Sequence, residues 1–217
     1  MFAALAAATV VAAVLLLGLA YSQITPVSTL MLARWLTLRT VERVAVPLEE
    51  VSPYVPLAVL ASEDSRFCAH HGVDWDVLRR VVEEADEDGP SRGASTIPMQ
   101  TAKNLFLWPG RSYLRKALEL PLALYLDAIW SKRRMMEVYL NVAEWGEGVF
   151  GVEAAARRHF GKSAFELTRA ESALLAAALP SPIRRNAGRP SGRHRLLAAR
   201  LLARMEASAP SAKCLRG

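Results

Sequence analysis

The sequence predicts an all-α fold behind one apolar N-terminal segment. Residues 2 to 22 are an almost unbroken run of Ala, Val and Leu. Helix start and stop signals recur from residue 50 to residue 207, and alternating strand patterns are scarce. The chain has 217 residues, 52% of them hydrophobic, which excludes a disordered protein and leaves room for one domain plus an appendage. Two cysteines, Cys68 and Cys214, exclude a disulfide-rich scaffold and a cysteine-based zinc cluster. The four histidines are not at metal-ligand spacing.

The first element is the apolar run. No charged side chain precedes Arg34. About 20 apolar residues at 1.5 Å rise cross a ~30 Å hydrocarbon core. Residues 1–23 therefore read as a transmembrane anchor. A signal peptide cleaved near Leu19-Ala20-Tyr21 is the alternative, but no Lys or Arg precedes the run and the run is long for a signal. Arg34, Arg39 and Arg43 follow the span, so the positive-inside count alone puts the domain in the cytoplasm. Residues 24–50 mix Leu, Met and Trp with Arg34 and Arg39. They suit an interfacial juxtamembrane segment, and suit a domain-packing element equally.

Residues 51–217 are predicted to form the helical domain. Ser52-Pro53 opens a helix to Glu63, and Asp74 caps Trp75 to Ala85. Ser95 caps a helix from Thr96 to Leu107. Ser112 opens one that runs to Trp130 through Pro121, where an interior proline costs about 3 kcal/mol and predicts a kink. Ser131 opens Lys132 to Trp145, stopped by Gly146. Thr168 and Glu171 form a capping box before a helix to Leu179, stopped by Pro180. A last helix spans Gly192 to Ala207. The connector from Glu83 to Ser91, acidic and then rich in breakers, reads as a solvated loop or a gate.

Four segments carry candidate chemistry. Glu63 and Asp64 are adjacent carboxylates at the C-terminal end of an apolar helix, where the partial negative charge disfavours a second anion. A carboxyl so placed suits a general base, although periodicity alone reads the pair as an exposed helix end. Gly93 to Asn104 packs Ser95, Thr96, Gln100 and Lys103 into one helix start, an arrangement that presents free N–H groups to an anion. Between Lys103 and Leu118 every charge is positive: Lys103, Arg111, Arg115 and Lys116. Glu119 then lies three and four residues beyond the last two. That cluster reads as a pyrophosphate site or, more blandly, as a solvated basic face. DNA or RNA binding is the weaker alternative, because the basic residues are few and concentrated and a membrane anchor argues against it, so no nucleic acid is expected as a partner. Finally, Met136, Tyr139 and Leu140 share one face and read as core, with Asn141 and Glu144 as buried polar groups needing partners.

Together these segments resemble the peptidoglycan glycosyltransferases. Glu63, Asp64, Phe67, His70 and Gly72 match E-D-x-x-F-x-x-H-x-G. Gly93 to Asn104 matches G-x-S-T-I-x-x-Q-x-x-K-N. Arg115, Lys116 and Glu119 match R-K-x-x-E. Glu137, Tyr139, Leu140 and Asn141 match E-x-Y-L-N, and Glu171 to Pro182 resembles E-x-A-L-L-A-x-x-L-P-x-P. Ala94 and Met99 depart from the usual Gly and Gln.

The resemblance implies a lysozyme-like fold and a single span, with the catalytic domain on the periplasmic face of the inner membrane, against the positive-inside count. It implies polymerisation of lipid II into glycan strands, with release of undecaprenyl pyrophosphate. Glu63 is then the base, and Glu119 a second carboxylate that positions the basic side chains. Lys103 and Arg111, helped by Arg115 and Lys116, neutralise the pyrophosphate. Ser95 and Gln100 line the donor site, and Asp64 neighbours a divalent cation, Mg2+ or Mn2+. His70 is a structural hydrogen-bonding residue and Glu171 a cap. An outer-face location permits a Cys68–Cys214 bond. No length remains for a transpeptidase domain, so crosslinking falls to other cell wall proteins. The rival readings are a lytic transglycosylase or lysozyme-like hydrolase, which needs no pyrophosphate clamp, and a non-enzymatic wall-binding protein.

Overall fold

A computed structural model of the chain describes residues 1–84, 93–110 and 112–215. The described residues form ten α-helices and one small sheet. The apolar N-terminal run forms α1 (Phe2–Ala20), the one described helix long and apolar enough to cross a membrane. It is exposed along most of its length and is buried only at Gly18, where it docks on the domain.

Residues 24–50 lie against the domain. Ser28 caps α2 (Thr29–Leu36), and the Thr29 hydroxyl donates to the Leu107 carbonyl at 2.6 Å. The strand β1 (Glu42–Arg43) then joins β2 (Glu144–Gly146) and β3 (Val149–Phe150) in the order β1-β3-β2, with β1 parallel and β2 antiparallel to β3. The Asn141 side chain binds the same segment. It donates to the Val46 carbonyl at 2.8 Å and accepts from the Val46 amide at 3.0 Å. Asn141 is thus buried because it substitutes for a strand partner.

The core is built on α3 (Tyr54–Glu63), α7 (Lys132–Val142) and α9 (Arg169–Ala178). In α3, Val55, Ala58, Val59, Leu60 and Ala61 are all buried, so this helix has no solvent stripe. Around them stand α4 (Trp75–Glu83), α5 (Ile97–Phe106), α6 (Tyr113–Ile129), α8 (Val152–Phe160) and α10 (Gly192–Ser208). Met136, Tyr139 and Leu140 are core, as their spacing predicts.

Several expected boundaries are corrected. Ser52 does not cap α3: its hydroxyl donates to the Leu167 carbonyl at 2.8 Å, and Pro53 occupies the cap position without a side-chain bond. The helix expected to reach Trp145 ends at Val142, because the chain turns extended to enter β2. α6 does run through Pro121 and is capped by Ser112, and α9 has the Thr168–Glu171 capping box. The connector read as a loop or gate lies, from residue 85 on, outside the described residues.

Cys68 and Cys214 form a disulfide with Cα atoms 5.6 Å apart, closing a separation of 146 residues. It ties the C-terminal 3-10 segment to the loop after α3. In the chain-entropy account a loop of that length stabilises by about 4 to 5 kcal/mol.

Candidate active site

The site begins where α3 ends. Glu63 is its last residue, and Asp64 follows with an extended backbone (φ −158°) that stops the helix. Asp64 then reaches the start of α5. Its Oδ2 accepts from the Ile97 amide at 2.9 Å, and His70 Nε2 lies 2.9 and 3.1 Å from its two oxygens. An anion at a helix N-terminus is favourable, so this buried carboxylate joins α3 to α5.

The loop carrying His70 is itself held. Lys132 lies 4.7 Å from the Phe67 ring centroid and donates to the His70 carbonyl at 2.7 Å. Gly72 takes φ +74° with the Ala123 carbonyl oxygen 2.7 Å from where a Cβ would stand, so no other residue fits. The Thr96 hydroxyl donates to the Gly72 carbonyl at 2.6 Å and accepts from the Met99 amide. Thr96, and not Ser95, is therefore the cap of α5; Ser95 points elsewhere and accepts from Lys116 Nζ at 2.6 Å.

Placed this way, α5 presents Gln100 to Glu63. Gln100 Nε2 donates to Glu63 Oε2 at 3.2 Å, and the Ser62 hydroxyl donates to Glu63 Oε1 at 2.7 Å. On its other side Gln100 Oε1 accepts from the Tyr139 hydroxyl at 3.2 Å. Tyr139 is fully buried, and burial first, then the Glu63 and Asp64 charges, hold its phenol well above its ordinary value.

One turn along, Lys103 donates no hydrogen bond among the described residues. Burial lowers its ammonium from the usual lysine value. Glu119 opposes that shift, Arg115 and Lys116 add to it, and Glu63 opposes it. Lys103 thus feels both carboxylates. Glu119, buried on α6, accepts from Arg115 and, at 2.6 Å, from Lys116. Arg115 also donates to the Gly110 carbonyl at 2.9 Å. Ser95, Arg115, Lys116 and Glu119 therefore form one bonded cluster, while Glu63, Gln100 and Tyr139 form another. Arg111 lies outside the described residues.

Two hollows flank the Glu63–Gln100 bond. A smaller one, of about 100 Å³, is lined by Glu63, Asp64, Arg66, Gly93 and Ser95. A larger one, of about 270 Å³, is lined by Gln100, Lys103, Asn104, Tyr139, Pro180 and Pro182. The carboxylate and the cation thus open onto different hollows, joined by the Gln100 amide. An arrangement of this kind can hold two parts of a substrate, with a proton acceptor on one side and a positive charge on the other.

Sequence reasoning missed two contributors. Tyr139 read as core, and only its place in the motif with Glu137 and Asn141 hinted at more. Ser62 gave no signal, because a hydroxyl before a helix end is common. Asp64, the expected neighbour of a divalent cation, accepts from the Ile97 amide and lies within hydrogen-bond distance of His70. No three His, Cys, Asp or Glu side chains gather among the described residues.

The transglycosylase family model matches residues 30–206. A biosynthetic peptidoglycan transglycosylase of Rhizobium meliloti (strain 1021) is 56% identical over 190 residues, covering 88% of this chain and 80% of that protein. One of Agrobacterium fabrum (strain C58 / ATCC 33970) is 54% identical over 192 residues, covering 88% and 85%. One of Brucella suis biovar 1 (strain 1330) is 50% identical over 191 residues, with the same coverage of 88% and 85%.

Proposed function

The chain belongs to the transglycosylase family, and from that premise we propose that it polymerises lipid II into β-1,4-linked glycan strands. It is a peptidoglycan glycosyltransferase with a lysozyme-like helical domain. The observation that supports the finer reading most directly is the carboxylate of Glu63 on one side of the Gln100 amide, with the ammonium of Lys103 one turn further along the same helix.

In this reading Glu63 takes the proton of the acceptor sugar's 4-hydroxyl. The oxygen attacks the anomeric carbon of the lipid-linked donor strand, and the bond to the pyrophosphate breaks. The donor bond is α and the product bond β, so one inverting displacement suffices and no glycosyl-enzyme forms. A pyrophosphate leaves as a stable anion, so the leaving side needs positive charge and not a proton. Lys103 supplies it, with Arg111 as a second cation. Glu119 holds Arg115 and Lys116, whose charges act on Lys103. Ser95 and Gln100 line the donor path, and Asp64 keeps α3 and α5 in register. No step is assigned to a divalent cation.

The lipid chains of the substrate keep it in the bilayer, and α1 holds the enzyme there. The catalytic domain stands on the periplasmic side of the inner membrane. The Cys68–Cys214 bond supports that side over the cytoplasm, because disulfides persist in oxidising compartments. Partners of this kind of product are the transpeptidases that crosslink it.

The test is detergent-solubilised protein incubated with labelled lipid II. Wild type yields polymer, and Glu63→Gln lowers turnover by about 10²- to 10⁴-fold while the protein stays folded. Cleavage of preformed glycan without polymer from lipid II would overturn this reading in favour of a hydrolase.

A further inference from the structure

The positive charge of the chain is not spread evenly. Residues 172–205 contain seven arginines and no acidic residue, whereas the whole chain carries only +6, so the remaining residues sum to 6 − 7 = −1. The seven arginines lie outside both clusters of the active site.

Their placement is directional. Just before the first of the seven arginines, Leu179, Pro180 and Pro182 line the hollow that Lys103 also lines. Arg184 and Arg189 follow, both exposed, and the chain then enters α10. Helices α9 and α10 run antiparallel. His194 Nε2 lies 2.9 Å from the Leu174 carbonyl at one end, and Arg169 pairs with Glu206 at 2.9 Å at the other. The start of α10 is therefore beside the hollow, and its end is remote from it.

Along α10, His194, Ala198, Leu201 and Met205 form the buried ridge. Arg193, Arg200 and Arg204 sit about 100° from that ridge, at spacings of seven and four, and all are exposed. They draw a basic line of about 16 Å leading away from the hollow. The main packing partners of α10 are α9 and α3, while the anchor docks on α6 and α7 through Tyr125, Trp130 and Arg134.

We propose that this arginine line, from Arg184 to Arg204, is a track for the product strand, which it holds through the carboxylates of the strand's stem peptides. A glycan backbone is neutral, but a strand bearing peptides presents acidic groups at intervals along its length. Exposed guanidinium groups in a row recognise such a polymer by charge without requiring one register. Sliding stays easy, because each exposed pair is individually weak. The identity of the strand rests on the polymerase reading; the binding itself does not.

The test uses the full-length protein in detergent micelles and separately prepared, uncrosslinked glycan strands. One portion keeps its stem peptides and the other has had them removed by an amidase. Wild type binds the peptide-bearing strands with an affinity that falls as salt rises. The Arg193→Gln/Arg200→Gln double variant binds them roughly two- to thirtyfold more weakly, the range that two exposed ion pairs supply. Arg193→Lys/Arg200→Lys restores binding, and the initial rate on lipid II is unchanged in both. Equal binding of stripped and peptide-bearing strands would overturn the proposal. So would a double variant that keeps full strand affinity, or one that loses affinity only for phosphatidylglycerol vesicles. If wild type binds strands yet makes no polymer from lipid II, the polymerase reading falls and the track stands.

Discussion

The hydroxyl of Tyr139 donates to the side-chain oxygen of Gln100 at 3.2 Å, and this decides which end of the amide faces Glu63. With its oxygen engaged, Gln100 must turn its nitrogen toward the carboxylate, where it donates at 3.2 Å. Tyr139 never touches Glu63 through a bond, yet it sets the environment of that group.

Removing the hydroxyl tests this relay. In Tyr139→Phe the buried Gln100 oxygen loses its donor, and the amide is free to reverse and point its oxygen at Glu63. Turnover on lipid II is expected to fall about tenfold, equivalent to ~1.4 kcal/mol in the barrier, with KM nearly unchanged. A kcat unchanged from wild type would mean that Tyr139 only fills space.

Lys103 makes a prediction on the alkaline side. Burial brings its ammonium below the ordinary lysine value of 10.5, so its charge is lost at lower pH than for an exposed lysine. Polymerisation is expected to decline before that pH. Lys103→Arg keeps the charge and carries the plateau to higher pH, at reduced rate because a planar guanidinium fits differently. Lys103→Gln abolishes polymer at every pH. An alkaline limb identical in wild type and Lys103→Arg would assign the titration to another group.

Glu119 is buried and shared by Arg115 and Lys116. Glu119→Gln leaves those two cations without their anion, and breaking such a buried group costs about 3 kcal/mol. For a chain of this size that lowers Tm by roughly 6 to 12 °C. Calorimetry on the purified variant reads this directly. A melt unchanged from wild type, together with loss of activity, would instead make Glu119 a proton donor.

His159 gives the stability a pH dependence. Burial lowers its imidazole from the ordinary value of 6.5, opposed by the Trp145 carbonyl and Asn186. The unfolded chain thus takes up this proton at higher pH than the folded one. The contribution is complete above about pH 6.5 and is lost as the pH falls through the window below it. Melts recorded from pH 7.5 down to 5.5 should fall less steeply for His159→Gln than for wild type; parallel curves would exclude the histidine.

Much of this arrangement was legible in the residues alone, and the failures have a common cause. The caps at Asp74, Ser112, Ser131 and Thr168 are local, and the spacing of hydroxyl or carboxylate to the helix is enough to find them. Ser95 and Thr96 are neighbours of the same type, and what separates them is a bond from Lys116, 21 residues away. Ser52 fails for the same reason, its partner being 115 residues distant. The Arg115–Lys116–Glu119 part of its cluster was readable because those three residues lie on one helix. The Tyr139–Gln100–Glu63 relay was not, because it joins three helices.

The N-terminal helix is not a leash. Trp130 donates to the Gly18 carbonyl at 2.9 Å, Tyr125 bonds the Leu15 carbonyl, and Arg134 clasps the Tyr21 carbonyl at 2.8 Å. Gly18 permits this closeness: a methyl group there would stand 2.5 Å from the Tyr125 ring. The distance between the N-terminal helix and the cleft is therefore a built dimension, like the throat of a sewing machine. Thread must be drawn past a needle that does not travel.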